Sequence, residues 1–201
     1  MSPKVSIQYK IELRERILQS AVTIFSKYGF DKARMEDISL EASISKGTLY
    51  LYFKSKEELF FAICENNIKK LKEQLDFLLT QKKEDLIYNV EKFYDNFHNA
   101  IKDDEQKVYM ELISECSRNS KIRKVMYSHR IKVFDIVSKY LKLQIDKGLL
   151  KKDMDVEGIS SGLVSLYDGL TLSKIMGINN EFNKKSWTKT TKAIFESISM
   201  Q

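Results

Sequence analysis

Met35-Glu-Asp-Ile-Ser-Leu-Glu-Ala-Ser-Ile-Ser-Lys-Gly-Thr-Leu-Tyr-Leu-Tyr-Phe-Lys-Ser-Lys-Glu-Glu-Leu59 is the stretch whose reading decides the fold. Met35, Ile38 and Leu40, with Ala42, form a short apolar stripe that Ala42-Ser43-Ile44 interrupts. Ile44 is a lone apolar residue in a polar turn, the position of a plug between two helices. Ser45 stands where an N-cap belongs, its hydroxyl available to an orphan N–H of the next helix. That helix, about Lys46 to Phe53, keeps Leu49 and Phe53 on one face. Ser55-Lys56-Glu57-Glu58 then reads as a capping box opening a long helix. The prediction is two short helices joined by a tight turn, followed by a capped third.

The second short helix carries unusual chemistry. Gly47 in its first turn lowers helix propensity, and close approach of a phosphate or base to the backbone is a reason for it. Lys46 supplies charge, while Thr48, Tyr50 and Tyr52 supply hydroxyls, donors commonly found on phosphate oxygens. A three-helix module built only for packing would not place glycine there, nor alternate Tyr with apolar residues around Leu49 and Phe53.

These residues resemble the helix-turn-helix of the TetR family of transcriptional regulators. The family pattern runs from a Gly-aromatic pair through Asp-Ile-Ala, a turn, Ser-x-Gly-Thr-Leu-Tyr and His/Tyr-Phe to Lys-x-x-Leu. Gly29-Phe30, Asp37-Ile38, Ala42, Ser45, Gly47-Thr48-Leu49-Tyr50, Tyr52-Phe53, Lys56 and Leu59 match it in register. There are two departures. Ser43 replaces the usual turn glycine, so the turn either avoids positive φ or accepts strain. Arg34 stands where the family usually has a capping Thr or Ser, and is long enough to reach a phosphate instead. The resemblance implies a DNA-binding regulator. The expected DNA contacts are Arg34, Ser45, Lys46, Gly47, Thr48, Tyr50, Leu51, Tyr52 and Lys56, with Gly47 and Leu51 nearest the bases.

Composition agrees without deciding. The chain has 201 residues and a formal charge of +6. Residues 1–55 hold nine Lys/Arg against six Asp/Glu, a local excess of +3 that suits a polyanionic partner. Apart from Pro3 there is no proline, and apolar residues recur at intervals of three and four, so the expected class is all-α. Cys64 and Cys116 suit a reducing compartment. With no signal peptide or long apolar run in view, the protein is expected to be soluble and cytoplasmic.

Working outward, a polar segment to about Gln8, with Lys4 and Lys10 nearby, reads as an arm. The next helix buries Ile17, Ala21, Ile24 and Phe25 and stops at Gly29. The capped helix from Lys56 continues through Leu78, ending near Gln81-Lys82-Lys83. Further helices are expected at about Asp85–Ile101, after a Lys102-Asp103-Asp104 loop, from about Lys121 to Gly148, at Val156–Ile175 with Asp155 as N-cap, and at about Asn183–Ser199. The resemblance implies nine helices, three for DNA and six for effector binding and dimerisation. The domains are then residues 1–55, a helix-turn-helix domain with an N-terminal arm, and residues 56–201, an effector-binding and dimerisation domain. Gly148, Asp153, Asp155 and Tyr167-Asp168-Gly169-Leu170 are similar to a loose pattern of the family's C-terminal domains.

Enzymatic chemistry finds no foothold. His98 and His129 are isolated, with no metal-ligand spacing, and no phosphate loop, dinucleotide fingerprint, nucleophile elbow or catalytic carboxylate pair occurs. No metal or other cofactor is expected. Phe93, Phe97, Tyr109, Ile113, Met126, His129, Val133 and Tyr167 are the candidates to line an effector cavity. Their character suits a small hydrophobic compound, with acyl compounds suggested by the resemblance. A homodimer on a palindromic operator follows from the same resemblance. Its expected interface is Ile159, Leu163, Leu166, Trp187, Thr191, Ile194 and Phe195 on the last two helices. The competing reading is a helical interaction or structural protein that has lost DNA binding. Intact Lys46, Gly47, Thr48 and Tyr50 count against it.

Overall fold

The computed structural model describes residues 6–79, 92–96 and 101–200. Among the described residues there are nine helical segments: α1 (Ile7–Tyr28), α2 (Met35–Glu41), α3 (Lys46–Tyr52), α4 (Lys56–Leu79), α5 (92–96), α6 (Asp103–Glu115), α7 (Ser120–Asp146), α8 (Val156–Ile175) and α9 (Asn180–Ile198). Extended pairing among them is confined to one antiparallel bridge, Leu150 with Ser199. The fold class is all-α, as expected.

Local signals set most boundaries. Ser45 accepts the N–H of Thr48 at 3.0 Å and starts α3. Ser55 accepts from Glu58 at 3.3 Å and starts α4, while the Glu58 carboxylate takes the N–H of Lys54, one residue earlier than the usual reciprocal bond. Asp155 caps α8 through Gly158. Gly29 ends α1 at φ +79. The α2–α3 turn accepts the strain: Ser43 lies at φ +53, with Ser43 N–H on Leu40 O and Ile44 N–H on Ser39 O, the paired bonds of a left-handed helix terminus.

Three expectations need correcting, and a fourth falls largely outside the described residues. The arm is shorter than expected, because Ser6 caps α1 through Tyr9 and Ile7 and Gln8 are already helical; residues 1–5, including Lys4, lie outside the described residues. Asp103 and Asp104 are not loop; with Glu105 they form the first turn of α6, where carboxylates complement the exposed N–H groups. The last helix begins three residues early, since Asn179 caps it through Phe182. Of the expected Asp85–Ile101 helix only 92–96 and Ile101 fall within the described residues; Phe97 and His98 lie outside them.

The chain packs as two compact units. The first comprises residues up to Asn66 together with Asp103–Met126. Its core joins Leu13, Ile17, Phe25, Phe30, Ile38, Leu49 and Phe60 to Val108 and Leu112 of α6 and Ile122 of α7. Phe30 sits centrally, its ring 5.2 Å from that of Phe25 and 6.4 Å from that of Phe60. Each such side chain contributes roughly 1.5–3 kcal/mol by leaving water. The second unit, Asn67–Lys102 with Tyr127–Gln201, is built on Leu71, Tyr94, Leu141, Trp187 and Phe195. The packing boundary is therefore not the boundary at residue 55, which we keep as a proposed division of labour.

Candidate nucleic-acid interface

α3 is a seven-residue helix with one anchoring side chain. Leu49 is fully buried; Thr48, Tyr50 and Tyr52 are half-buried, and both tyrosines pack against the first core. Lys46, Gly47 and Leu51 are exposed. Gly47 and Leu51, four residues apart, share the outward face. A Cβ built on Gly47 would meet only Ser45 Oγ, at 3.8 Å, and Gly47 is not among the residues of positive φ. Neither packing nor backbone within the chain therefore calls for glycine here.

The polar side chains around this face are individually placed. Ser45 Oγ, besides capping α3, lies 2.8 Å from Thr48 Oγ1. Lys46 is ion-paired with Glu36 of α2, a residue for which the local sequence gave no signal because it lies ten positions away. The ammonium also sits 5.9 Å from the Tyr50 ring centroid. Hydrogen bonding to Lys46 holds the Glu36 carboxyl below its ordinary range, and the same bond raises the Lys46 ammonium. Arg34 is exposed and precedes α2 without capping it through its side chain.

Lys56, an expected phosphate contact, is engaged within the chain. Its ammonium donates to the carbonyls of Phe30 and Asp31, at 2.6 and 2.9 Å, and lies over the Phe30 ring. It closes the α1–α2 loop onto the start of α4. A second support was invisible in the local sequence: Glu111 of α6 accepts the N–H of Phe30 at 2.8 Å, and Asp104 accepts from Ser26.

The expected effector residues divide between the two units. Tyr109, Ile113 and Met126 belong to the first, where Met126 is core and Tyr109 packs against it. Ile113 is 40% exposed, because α6 buries Val108, Leu112 and Glu115 instead. Phe93, His129, Val133 and Tyr167 belong to the second unit. There Phe93, Tyr94 and Tyr167 surround Trp187, with ring centroids 6.0, 6.0 and 6.2 Å from it. Tyr94, not among the expected lining residues, joins the group from the position next to Phe93. Beside this cluster Arg130 of α7 is ion-paired with Asp168 of α8. Burial pushes the Asp168 carboxyl above its ordinary value, with Arg130 opposing.

The expected interface residues lie in or against the core of the second unit. Leu163, Trp187, Thr191 and Phe195 are buried within one chain, and Ile159, Leu166 and Ile194 pack against the same core. Thr191 spends its hydroxyl on the Trp187 carbonyl. The first four are at most 8% exposed and offer little area of their own to a second copy.

Comparison with known proteins matches this framework. Residues 17–63 fit the family model for bacterial regulatory proteins of the tetR family. The uncharacterized transcriptional regulator YfiR of Bacillus subtilis is 26% identical over 173 residues, covering 85% of this chain and 83% of that protein. IcaR of Staphylococcus epidermidis, the negative transcriptional regulator of the biofilm operon icaADBC, is 30% identical over 132 residues, covering 64% of this chain and 69% of IcaR. The chain belongs to the TetR family. The solved structure of Salmonella enterica GusR shares the fold, with a TM-score of 0.78, 19% identity and coverage of 96% of this chain and 97% of that one. This TetR-family chain is thus a DNA-binding transcriptional regulator, and membership places it among regulators rather than enzymes. Among its described residues no helix is long and apolar enough to cross a membrane, and no group of three His, Cys, Asp or Glu is placed to hold a metal.

Proposed function

We propose that this regulator is a repressor that binds a palindromic operator as a homodimer and is released by a small apolar effector. The observation that carries the DNA half is the outward face of α3, where a glycine that nothing inside the chain requires lies one turn from an exposed leucine. In this reading α3 enters the major groove and α2 braces it. Arg34, Ser45, Lys46, Thr48, Tyr50 and Tyr52 approach phosphates, and Gly47 and Leu51 approach the bases.

Two copies are needed because one seven-residue recognition helix offers few contacts, and two-fold symmetry matches half-sites about one helical turn apart. Leu172, Ile175, Met176, Ile178 and Phe182, which flank the α8–α9 turn, are all more than 40% exposed, an apolar run that a second copy would cover. The effector reading draws on the aromatic group Phe93, Tyr94, Tyr167 and Trp187, with His129 and Val133 on α7. Such a lining suits a hydrophobic or aromatic compound. By linkage, an effector that weakens DNA binding must itself bind more weakly to the DNA-bound protein by the same factor. The site of action would be the cytoplasm.

Mobility of the full chain with duplex DNA from its own upstream region, at a fixed salt concentration, tests the reading. A retarded complex that a random duplex does not compete away supports it. Absence of any complex at micromolar protein would instead favour a helical interaction protein. Sedimentation tests the second copy, and a monomer at micromolar concentration would overturn it.

A further inference from the structure

We propose that Leu51 is a base-reading residue and that what it reads is the 5-methyl group of thymine, an inference that rests on α3 being the DNA-reading helix. Leu51 is 79% exposed, more than any other large apolar residue among the described residues of the first unit except Ile7 at the very start of α1. Its neighbour Leu49 already anchors α3, so the fold makes no use of a second leucine pointing outward.

The other groups on α3 do not compete for this role. Lys46 is engaged by Glu36, Thr48 Oγ1 lies against Ser45 Oγ, and Tyr50 and Tyr52 are half-buried against the core. The most prominent outward face, Gly47 and Leu51, therefore carries no side-chain hydrogen-bond donor or acceptor. Of the base edges in the major groove only thymine adds an apolar group, its C5-methyl. A leucine pressed onto the amino group of cytosine or the acceptors of guanine would strip water from them and return no hydrogen bond. Leu51 thus discriminates twice, by gaining contact with a methyl and by penalising a G·C pair. Gly47 makes the contact possible, because the missing side chain lies one turn away on the same face and lets the helix axis approach the base edges.

Duplexes selected from a random library by the full-length protein provide the probe. Each thymine of the best-bound duplex is replaced singly by deoxyuridine, which removes only the methyl. One position per half-site is expected to weaken wild-type binding about fourfold, the ratio that corresponds to one buried methylene-sized group. Leu51→Ala should bind the thymine duplex less well and be indifferent to that replacement, whereas Leu51→Met should keep the dependence. Retained mobility shifts by Leu51→Met also show that position 51 tolerates change without loss of fold. If no deoxyuridine replacement weakens wild-type binding, or if Leu51→Ala loses as much as wild type, the methyl reading is overturned while DNA binding stands. If the wild-type chain selects no duplex at all, the DNA-binding reading fails and takes this inference with it.

Discussion

Lys46 at the first position of α3 is ion-paired with Glu36 in the first turn of α2, and each side chain remains about half exposed. In the proposed reading a carboxylate thus occupies the partner position of a DNA phosphate. Glu36→Gln should strengthen operator binding severalfold at low salt, with the difference shrinking as salt screens the charges. The exposed pair should matter little to folding. Binding titrations at two salt concentrations check this, and an unchanged affinity would place Lys46 away from the phosphates.

Gly47→Ala separates folding from binding. The added methyl has room, so unfolding by urea should show the variant equal to wild type or up to about 1 kcal/mol more stable. Operator affinity should nonetheless fall, because the methyl stands between helix and groove. A gain in stability with affinity intact would show that this face does not approach DNA.

Ser43 offers the opposite case. At φ +53 it sits in a left-handed position that glycine fills without strain. Ser43→Gly should raise stability by about 0.5–1 kcal/mol, relief of strain exceeding the added freedom of the unfolded chain. Equal midpoints in urea would argue that the paired Leu40 and Ser39 bonds already compensate.

Lys56→Met should behave as a loop mutation. Losing the bonds to Phe30 O and Asp31 O should cost about 1–2 kcal/mol, measured by denaturant unfolding. The salt slope of operator binding should stay as in wild type. A slope lower by about one unit would restore Lys56 as a phosphate contact.

The Arg130–Asp168 pair should be asymmetric. Arg130→Gln leaves a mostly buried carboxylate uncompensated and should cost about 2–3 kcal/mol at neutral pH. Asp168→Asn should cost less, because the guanidinium keeps its place 5.4 Å from the Phe134 ring centroid and is partly exposed. The native Asp168 pKa is raised, so the folded state holds this proton more tightly than the unfolded chain does. The associated stability is present below the ordinary Asp range and lost as pH rises through the native value. The Arg130→Gln deficit should therefore shrink as pH is lowered towards that range. A deficit independent of pH would mean that packing, not charge, is what Arg130 supplies.

Features carried by neighbouring residues were legible in the sequence. Ser45, Ser55, Asp155 and Gly29 announce helix ends because caps act over three or four positions. What depends on distant segments was not. Periodicity says that Trp187, Thr191 and Phe195 are apolar-face residues, but a chain's interior and a subunit contact demand the same pattern. A lysine such as Lys56 reads as free charge until the carbonyls of Phe30 and Asp31 are seen to meet it. Glu111 and Asp104, which brace the helix-turn-helix from α6, have no local signature at all.

The first unit is assembled from two separate lengths of chain, leaving at Asn66 and resuming with Asp103–Met126. A chimera that borrows this regulator's operator preference by transplanting its N-terminal residues alone would import Phe30 without Glu111 and a core stripped of Val108, Leu112 and Ile122. Recombination between relatives therefore has a built-in seam. Exchanges that carry α6 and the start of α7 along with the residues up to Asn66 preserve a complete reading head, and those that do not must find substitutes for its missing wall in the recipient.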